Sequence, residues 1–473
     1  MTLLSYLRCR RLYRIQNFLI AIILLSSLCG IILGISFIMD SDKKNANKDS
    51  KKEPLLLEKI KPELNIKSKD EEIKSDDIIE NNDRNQDSDN NQINDDVKPK
   101  NKINRVELPP VELEQFPVPN YDVHVFYYPW YGNVEVDGQY LHWDHEFLQH
   151  WDKKIAAKWP KGKHQPPDDI GSNYYPRLGT YSSRDPKTME SHMEQIRSAG
   201  IGVLAVSWYP PDEADGQGNP WDEWMPQLFD YADRYELKVA FHIEPFNDRS
   251  PETMQKYVQY IINKYGKHNA FYRKEHNGKT LPLFYIYDSY MIPSNQWKKL
   301  LTPQGPFTVR ETKYDSHFIG LIVERNHRDQ LTDAGFDGMY TYFASDGFSF
   351  GSSITRWKQI AEYAKSKDLL FIPSVGPGYI DEKIRPWNHQ NTKDRKEGDY
   401  YLKEFDAAIA VEPPLISITS FNEWHEGSQI ELAVPKIAGA FKYVDYLPHG
   451  PDFYLKLTEK SINKYKTKMD MIR

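Results

Sequence analysis

From Tyr121 onward the chain alternates between two kinds of hydrophobic spacing. Short continuous runs of β-branched and aromatic residues lie at 123–128, 203–208, 239–244, 283–287, 318–323, 338–343, 369–374 and 415–420. Runs this short and this uniformly apolar fit strands covered on both faces, and hence a parallel sheet. Between them, the stretches near 187–199, 222–236, 252–265, 294–301, 355–367 and 400–411 carry apolar residues at helical spacing, and a shorter one spans 327–334. Eight strand–helix units predict an α/β fold, a (β/α)8 TIM barrel, with a doubly wound open sheet as the competing arrangement. No Gly-x-Gly-x-x-Gly and no Gly-x-x-x-x-Gly-Lys follows these runs, which argues against dinucleotide and nucleoside triphosphate binding.

Upstream the pattern changes twice. Residues 18–39 carry no charge, and at ~1.5 Å per residue such a helix crosses a ~30 Å hydrocarbon core. Arg8, Arg10, Arg11 and Arg14 precede it, so residues 1–17 are expected to be a cytosolic tail and 18–39 a transmembrane signal anchor. A cleaved signal peptide is the rival. The run is longer than the usual ~7–15-residue apolar core of such peptides, and no clear small-x-small site follows. Residues 40–117 are dominated by Lys, Asp, Glu, Asn and Gln. They cannot bury enough apolar area to offset ordering, and are expected to form a disordered lumenal stalk. The barrel is then expected over 118–473.

Composition narrows the chemistry. The net charge of -7 and the lack of basic runs interleaved with aromatics exclude a nucleic-acid interface. Both cysteines, Cys9 and Cys29, precede residue 40, so the barrel has no disulfide and no thiolate metal site. Aromatic residues make up 13% of the chain, which serves core packing but also suits a carbohydrate cleft.

In a TIM barrel the reactive groups follow the carboxyl ends of the strands. Here those positions hold Tyr127 and Trp130, then Trp208 and Tyr209, then His242, Glu244 and Asn247. Tyr287 and Asp288 come next, followed by Glu324 and Arg325, Tyr340 and Tyr342, and finally Glu423, Trp424, His425 and Glu426. Two carboxyls three residues apart, beside an indole, are the kit for acid–base cleavage of a sugar acetal. Were 422–427 helical, the two would share one face, ~5–6 Å apart at Cβ. Each would then oppose the other's ionisation, leaving one as proton donor.

The blocks Tyr127-Tyr128-Pro129-Trp130-Tyr131, Asn173-Tyr174-Tyr175-Pro176, Ser207-Trp208-Tyr209-Pro210-Pro211 and Phe241-His242-Ile243-Glu244-Pro245 resemble those of the glycoprotein endo-alpha-1,2-mannosidases. So do 336–343, 372–379 and Thr419-Ser420-Phe421-Asn422-Glu423-Trp424-His425-Glu426-Gly427. This is glycoside hydrolase family ninety-nine, and the likeness runs from about residue 120 to the C-terminus. The resemblance implies a single-pass type II Golgi membrane protein with a lumenal barrel, monomeric as a catalytic domain, without metal or other cofactor. It implies retaining endo-cleavage of the alpha-1,2 linkage in glucosylated high-mannose N-glycans on glycoproteins, releasing a glucosyl-alpha-1,3-mannose unit. By the same resemblance Glu423 is the base that activates the sugar 2-hydroxyl, and Glu426 the acid/base; spacing alone leaves a direct nucleophile open. Trp208 and Tyr209 resemble an aromatic floor at the glucose subsite, and tyrosine followed by Pro-Pro is the animal-enzyme pattern. Tyr127, Trp130, His242, Glu244, Tyr287, Asp288, Tyr342 and Trp424 complete the expected substrate contacts.

Two rival functions share the tethered layout. A Golgi glycosyltransferase would ordinarily carry an Asp-x-Asp motif after a strand, whereas Asp87-Ser88-Asp89 lies in the polar stalk. A glycan-binding lectin would not need both glutamates. A metal site fails for want of His-Glu-x-x-His or a comparable ligand set.

Overall fold

The computed structural model describes residues 110–472, apart from Asp212 and Asn219. The expected tail, the anchor and most of the stalk lie outside the described residues. Among the described residues no helix is long and apolar enough to cross a membrane.

The eight anticipated strands pair in parallel around a ring. β1 (Asn120–Tyr127) lies between β2 (Ile201–Trp208) and β10 (Ile416–Ile418). Beyond β2 follow β3 (Lys238–Ile243), β5 (Lys279–Ile286), β6 (His317–Leu321), β7 (Gly338–Tyr340) and β8 (Leu370–Ile372). β9 (Ser374–Val375) continues β8 beyond a break at Pro373 and pairs with β10. The seventh stave therefore bonds one neighbour with its first half and the other with its second. β4 (Arg273–His276) forms a hairpin with β5 through Asn277-Gly278, both at positive φ (50° and 72°). Asn-Gly is the pair such a two-residue turn favours.

Helices occupy the predicted positions at Pro186–Ser198, Met225–Arg234, Pro251–Tyr265, Ser294–Leu301, His327–Ala334, Trp357–Ser366 and Asp399–Ala410. Their starts are written locally. The Asp185 side chain accepts from the Lys187 N–H ahead of Pro186, and Ser250 and Thr253 form a reciprocal capping box around Pro251. A cap of this kind stabilises a helix by about 1 kcal/mol. A further helix, Phe453–Asp470, follows β10 and was not anticipated.

The two-residue period of each strand sorts its side chains. Phe126 meets His242, Tyr285 and Tyr340 across the ring at centroid distances of 4.7, 5.4 and 5.8 Å, so even positions of β1 point inward. Inside the barrel, Tyr285 Oη lies 2.8 Å from His124 Nδ1, and Tyr340 Oη 2.8 Å from His242 Nε2. Burial lowers both imidazoles to about 3, so they are neutral packing elements. Much of the aromatic content is thus spent on filling the barrel. Tyr127, one residue along, points outward, where its hydroxyl lies 3.0 Å from His192 Nδ1 on the surrounding helix.

Candidate active site

One step above the buried layer, the next inward residues of four strands form the floor of a cavity. Tyr128 follows Phe126, Glu244 follows His242, Tyr287 follows Tyr285 and Tyr342 follows Tyr340, each two positions on. All four line a cavity of about 550 Å³, together with Glu423 and Glu426. That volume lies within the range of small-ligand sites. Tyr128 and Tyr342 join through their hydroxyls. Tyr342 has a left-handed φ of 54°, held by a bond from its N–H to Ser374 Oγ (2.8 Å) and one from the Thr419 hydroxyl to its carbonyl. A bulky residue in that region is strained, and such strain concentrates at functional sites.

The two glutamates sit on a tight turn after β10, not on a helix. Asn422 locks the turn to the end of β1 by a reciprocal pair: its Nδ2 donates to the Tyr128 carbonyl and its Oδ1 accepts the Tyr128 N–H, each at 2.8 Å. Ser420 Oγ accepts the Glu423 N–H at 2.7 Å. Glu423 Oε1 accepts the His425 N–H at 3.0 Å, while Glu426 Oε2 is buried without a protein partner. Gly427 closes the turn at φ 57°, packed so tightly that a Cβ there would lie 2.5 Å from Ile380 Cγ2. Arg395 supports the turn from below, donating to the carbonyls of Gly427 and Gln429 at 2.8 and 2.7 Å.

Burial dominates the electrostatics. It pushes Glu426 up to about 7, against the pull of the Arg385 guanidinium. Burial and then the nearby Glu426 carboxyl hold Glu423 well above the carboxylate range. Glu244, bonded by the Ser207 hydroxyl at 2.8 Å, is pushed by burial up to about 8. His145 is lowered by burial to about 4 and His425 well below its ordinary value. His425 Nδ1 faces the Gly171 carbonyl at 2.7 Å, which can only accept, so that nitrogen carries the proton. Asp381, completely buried, holds Arg385 at 3.0 Å, and the neighbouring Ile380 N–H donates to the Glu426 carbonyl at 2.8 Å. The cavity thus offers three carboxyls biased toward the neutral form, neutral imidazoles and an oriented guanidinium: proton transfer is the chemistry it can do.

The profile of glycosyl hydrolase family 99 matches residues 118–467, most of the chain. The chain belongs to glycosyl hydrolase family 99. It is a glycoside hydrolase. A Xenopus laevis relative named glycoprotein endo-alpha-1,2-mannosidase is 54% identical over 368 residues, 78% of this chain and 81% of its own. A human glycoprotein endo-alpha-1,2-mannosidase-like protein is 54% identical over 340 residues, 72% and 74% of the two chains. Among solved structures, the family 99 endo-alpha-mannosidase of Bacteroides thetaiotaomicron matches with TM-score 0.69 and 44% identity, over 75% of this chain and 100% of that one.

Within this family 99 chain the expected site residues on the strands divide by parity and by depth. Trp130, Tyr209, Glu244, Tyr287, Tyr342, Glu423 and Glu426 line the cavity. Five others lie outside its wall. Trp208 points outward from β2, fully buried, with its indole N–H on Asp222 Oδ1 at 3.0 Å. Tyr127 is likewise outward. His242 points inward but one layer too deep. Trp424 is fully buried, its indole N–H directed at Tyr181 Oη and Glu431 Oε2 (3.1 and 2.9 Å). Asp288 takes a left-handed φ of 48° beside Arg249, away from the cavity. Glu324 and Arg325 do not line it either. Sequence reasoning passed over Tyr128, His142, His145, Asp215 and Arg385, all of which do. Most of these reside in the long connections 128–185 and 376–398, where no periodicity singles a residue out. The length of the first connection was the available signal, since long irregular loops in compact domains are usually functional.

Proposed function

We propose that the enzyme cleaves, endo-fashion and with retention, the alpha-1,2-mannosidic linkage within glucosylated high-mannose N-glycans, releasing glucosyl-alpha-1,3-mannose. The observation that carries this is the pair Glu423 and Glu426, sharing one cavity with raised proton affinities on the end of the eighth stave. Two acids this close share a single proton at working pH, because ionising one raises the other. The backbone bond from His425 favours the carboxylate on Glu423, while Glu426 Oε2, without a protein partner, suits the proton. Glu426 then protonates the departing glycosidic oxygen. Glu423 draws the proton from the 2-hydroxyl of the reacting mannose, whose oxygen attacks C1 as the C1–O bond breaks, giving a 1,2-anhydro sugar. Water, deprotonated by Glu426, attacks C1 and breaks its bond to O2, and Glu423 gives the proton it holds back to O2. Two inversions at C1 leave the configuration retained. Tyr209 and Trp130 supply apolar faces for sugar rings, in line with the names of the 54% identical relatives.

Digestion of a defined monoglucosylated high-mannose glycan, followed by mass spectrometry, tests the cleavage: an intact glucosyl-mannose unit is expected, and free glucose or free mannose alone refutes it. Glu426→Gln should lower turnover by ~10²–10⁴-fold with the fold intact. A substrate lacking the 2-hydroxyl at the reacting mannose should not turn over, and normal turnover would point to direct attack by Glu423. The same reading places the enzyme in the Golgi membrane, held through residues 18–39; secretion of full-length protein from cells would contradict it.

A further inference from the structure

Beside the cavity wall the chain builds an aromatic surface that the reaction itself does not use. His150 stacks on Trp151 at 3.8 Å and 28°, and Trp387 stands edge-on to both, with centroids 4.9 Å from His150 and 5.3 Å from Trp151 at 88° and 82°. Trp151 is 52% exposed. The cluster is anchored to the cavity wall. Trp387 Nε1 donates to the Leu148 carbonyl at 3.0 Å, the Leu148 N–H donates to the Ile384 carbonyl at 2.8 Å, and Leu148, Ile384 and Arg385 all line the cavity. A half-exposed indole, backed on one face by His150, set at right angles to a second indole and joined through Leu148 to the cavity wall, presents flat apolar surface of the kind pyranose C–H faces cover.

The side of the cavity follows from the proton donor. The segment that carries Trp387 also carries Ile380, bonded to the Glu426 backbone, and Arg385, whose charge acts on the Glu426 carboxyl. The group that protonates the departing oxygen faces the departing half of the substrate. We propose that Trp151 and Trp387 form a subsite for the leaving-group portion of the glycan, stacking at least one sugar beyond the mannose that bears the scissile oxygen. This rests on the function proposed above. It gives an endo-acting enzyme a hold on the part of the glycan that it does not release as disaccharide.

Two substrates with the same glucosyl-mannosyl donor test it. One is the full N-glycan; the other is the alpha-fluoride, whose leaving group is too small to reach the shelf. Trp151→Ala, a change at an exposed position, should lower kcat/KM on the N-glycan by about 5–20-fold, mainly through KM, and leave the fluoride within about twofold. Trp387→Phe, which keeps a ring but loses the bond to Leu148, should show the same selectivity more weakly. Equal losses on both substrates, or no loss on the glycan, overturn the subsite while leaving the hydrolase reading in place. A loss seen on glycoprotein but not on the free glycan assigns the shelf to polypeptide and also overturns it. Wild-type enzyme inert on both substrates removes the proposed function, and the subsite with it.

Discussion

Asp381→Asn perturbs the proton donor without touching it. The Asp381 carboxylate is fully buried and accepts from Tyr379 Oη (2.9 Å), Arg385 Nη1 (3.0 Å) and Asn388 Nδ2 (2.9 and 3.1 Å). Removing one member of a buried ion pair costs ~3–5 kcal/mol. The Arg385 side chain keeps 31% exposure, which puts the loss at the lower end, about 3 kcal/mol. At about 2 °C per kcal/mol for a large domain, the Tm should fall by roughly 6 °C. The second effect is electrostatic. Asp381 raises the Glu426 proton affinity and Arg385 lowers it, so losing the aspartate charge and freeing the guanidinium act in the same direction. Glu426 must be protonated to act as donor, and a lower pKa means that the proton is lost at lower pH. The basic limb of kcat/KM against pH should therefore move acid-ward from about 7, by roughly one unit, equivalent to ~1.4 kcal/mol. Of the other groups coupled to this carboxyl, Glu423, Glu244, Tyr287 and Tyr342 are untouched by the change, while Tyr379 donates to the altered side chain. Profiles from pH 4.5 to 9 with parallel thermal melts decide the matter. A basic limb at the wild-type position with an unchanged Tm would show that the Asp381–Arg385 pair does not govern Glu426.

Three other substitutions separate roles within the site. Glu244→Gln mimics the protonated acid, so activity near pH 6 should stay within a few-fold of wild type. Because folding raises the Glu244 pKa from 4.5 to about 8, its stabilising contribution is complete below about 4.5 and lost as pH rises toward 8; melts at pH 5 and 8 should show a smaller drop for the variant. Trp208→Phe should cost ~1–2 kcal/mol through the lost bond to Asp222 and leave KM unchanged, whereas Tyr209→Ala should raise KM at constant Tm. Gly427→Ala should cut kcat at least about tenfold and lower Tm, since φ 57° and the Ile380 contact leave no room for a methyl group; wild-type kinetics would mean that the turn does not position Glu426.

The barrel was legible because its signals are local and repeated. Eight apolar runs and the spacing between them place every stave, and proline or acidic caps mark several helix starts. Helix Phe453–Asp470 escaped because the long connection 419–452 separates it from the eighth stave, and its mixed polar surface blurs the helical spacing. The site was legible at the ends of staves but not in depth. Choosing Trp208 over Ser207, or His242 beside Glu244, ignores that neighbouring residues face opposite ways and that residues two apart differ by a layer. Applied from Phe126 and His242 upward, the two-residue period selects Tyr128 and Glu244 unaided. Arg385 and His145 lie on irregular chain brought in from afar, where only three-dimensional closure tells a wall residue from a loop residue.

The raised proton affinity of Glu244 and Glu426 makes the cleft a reservoir that holds hydrogen ions close to neutrality, where surface acids have shed theirs. A neutral saccharide leaves that reservoir full. A ligand carrying a fixed ammonium centre drains it, releasing a hydrogen ion to the medium as a carboxylate forms beneath the charge. The two ligand classes should therefore differ in calorimetric heat between buffers of unlike ionisation enthalpy. The cationic class should also tighten as the medium becomes more alkaline, until the reservoir empties of its own accord.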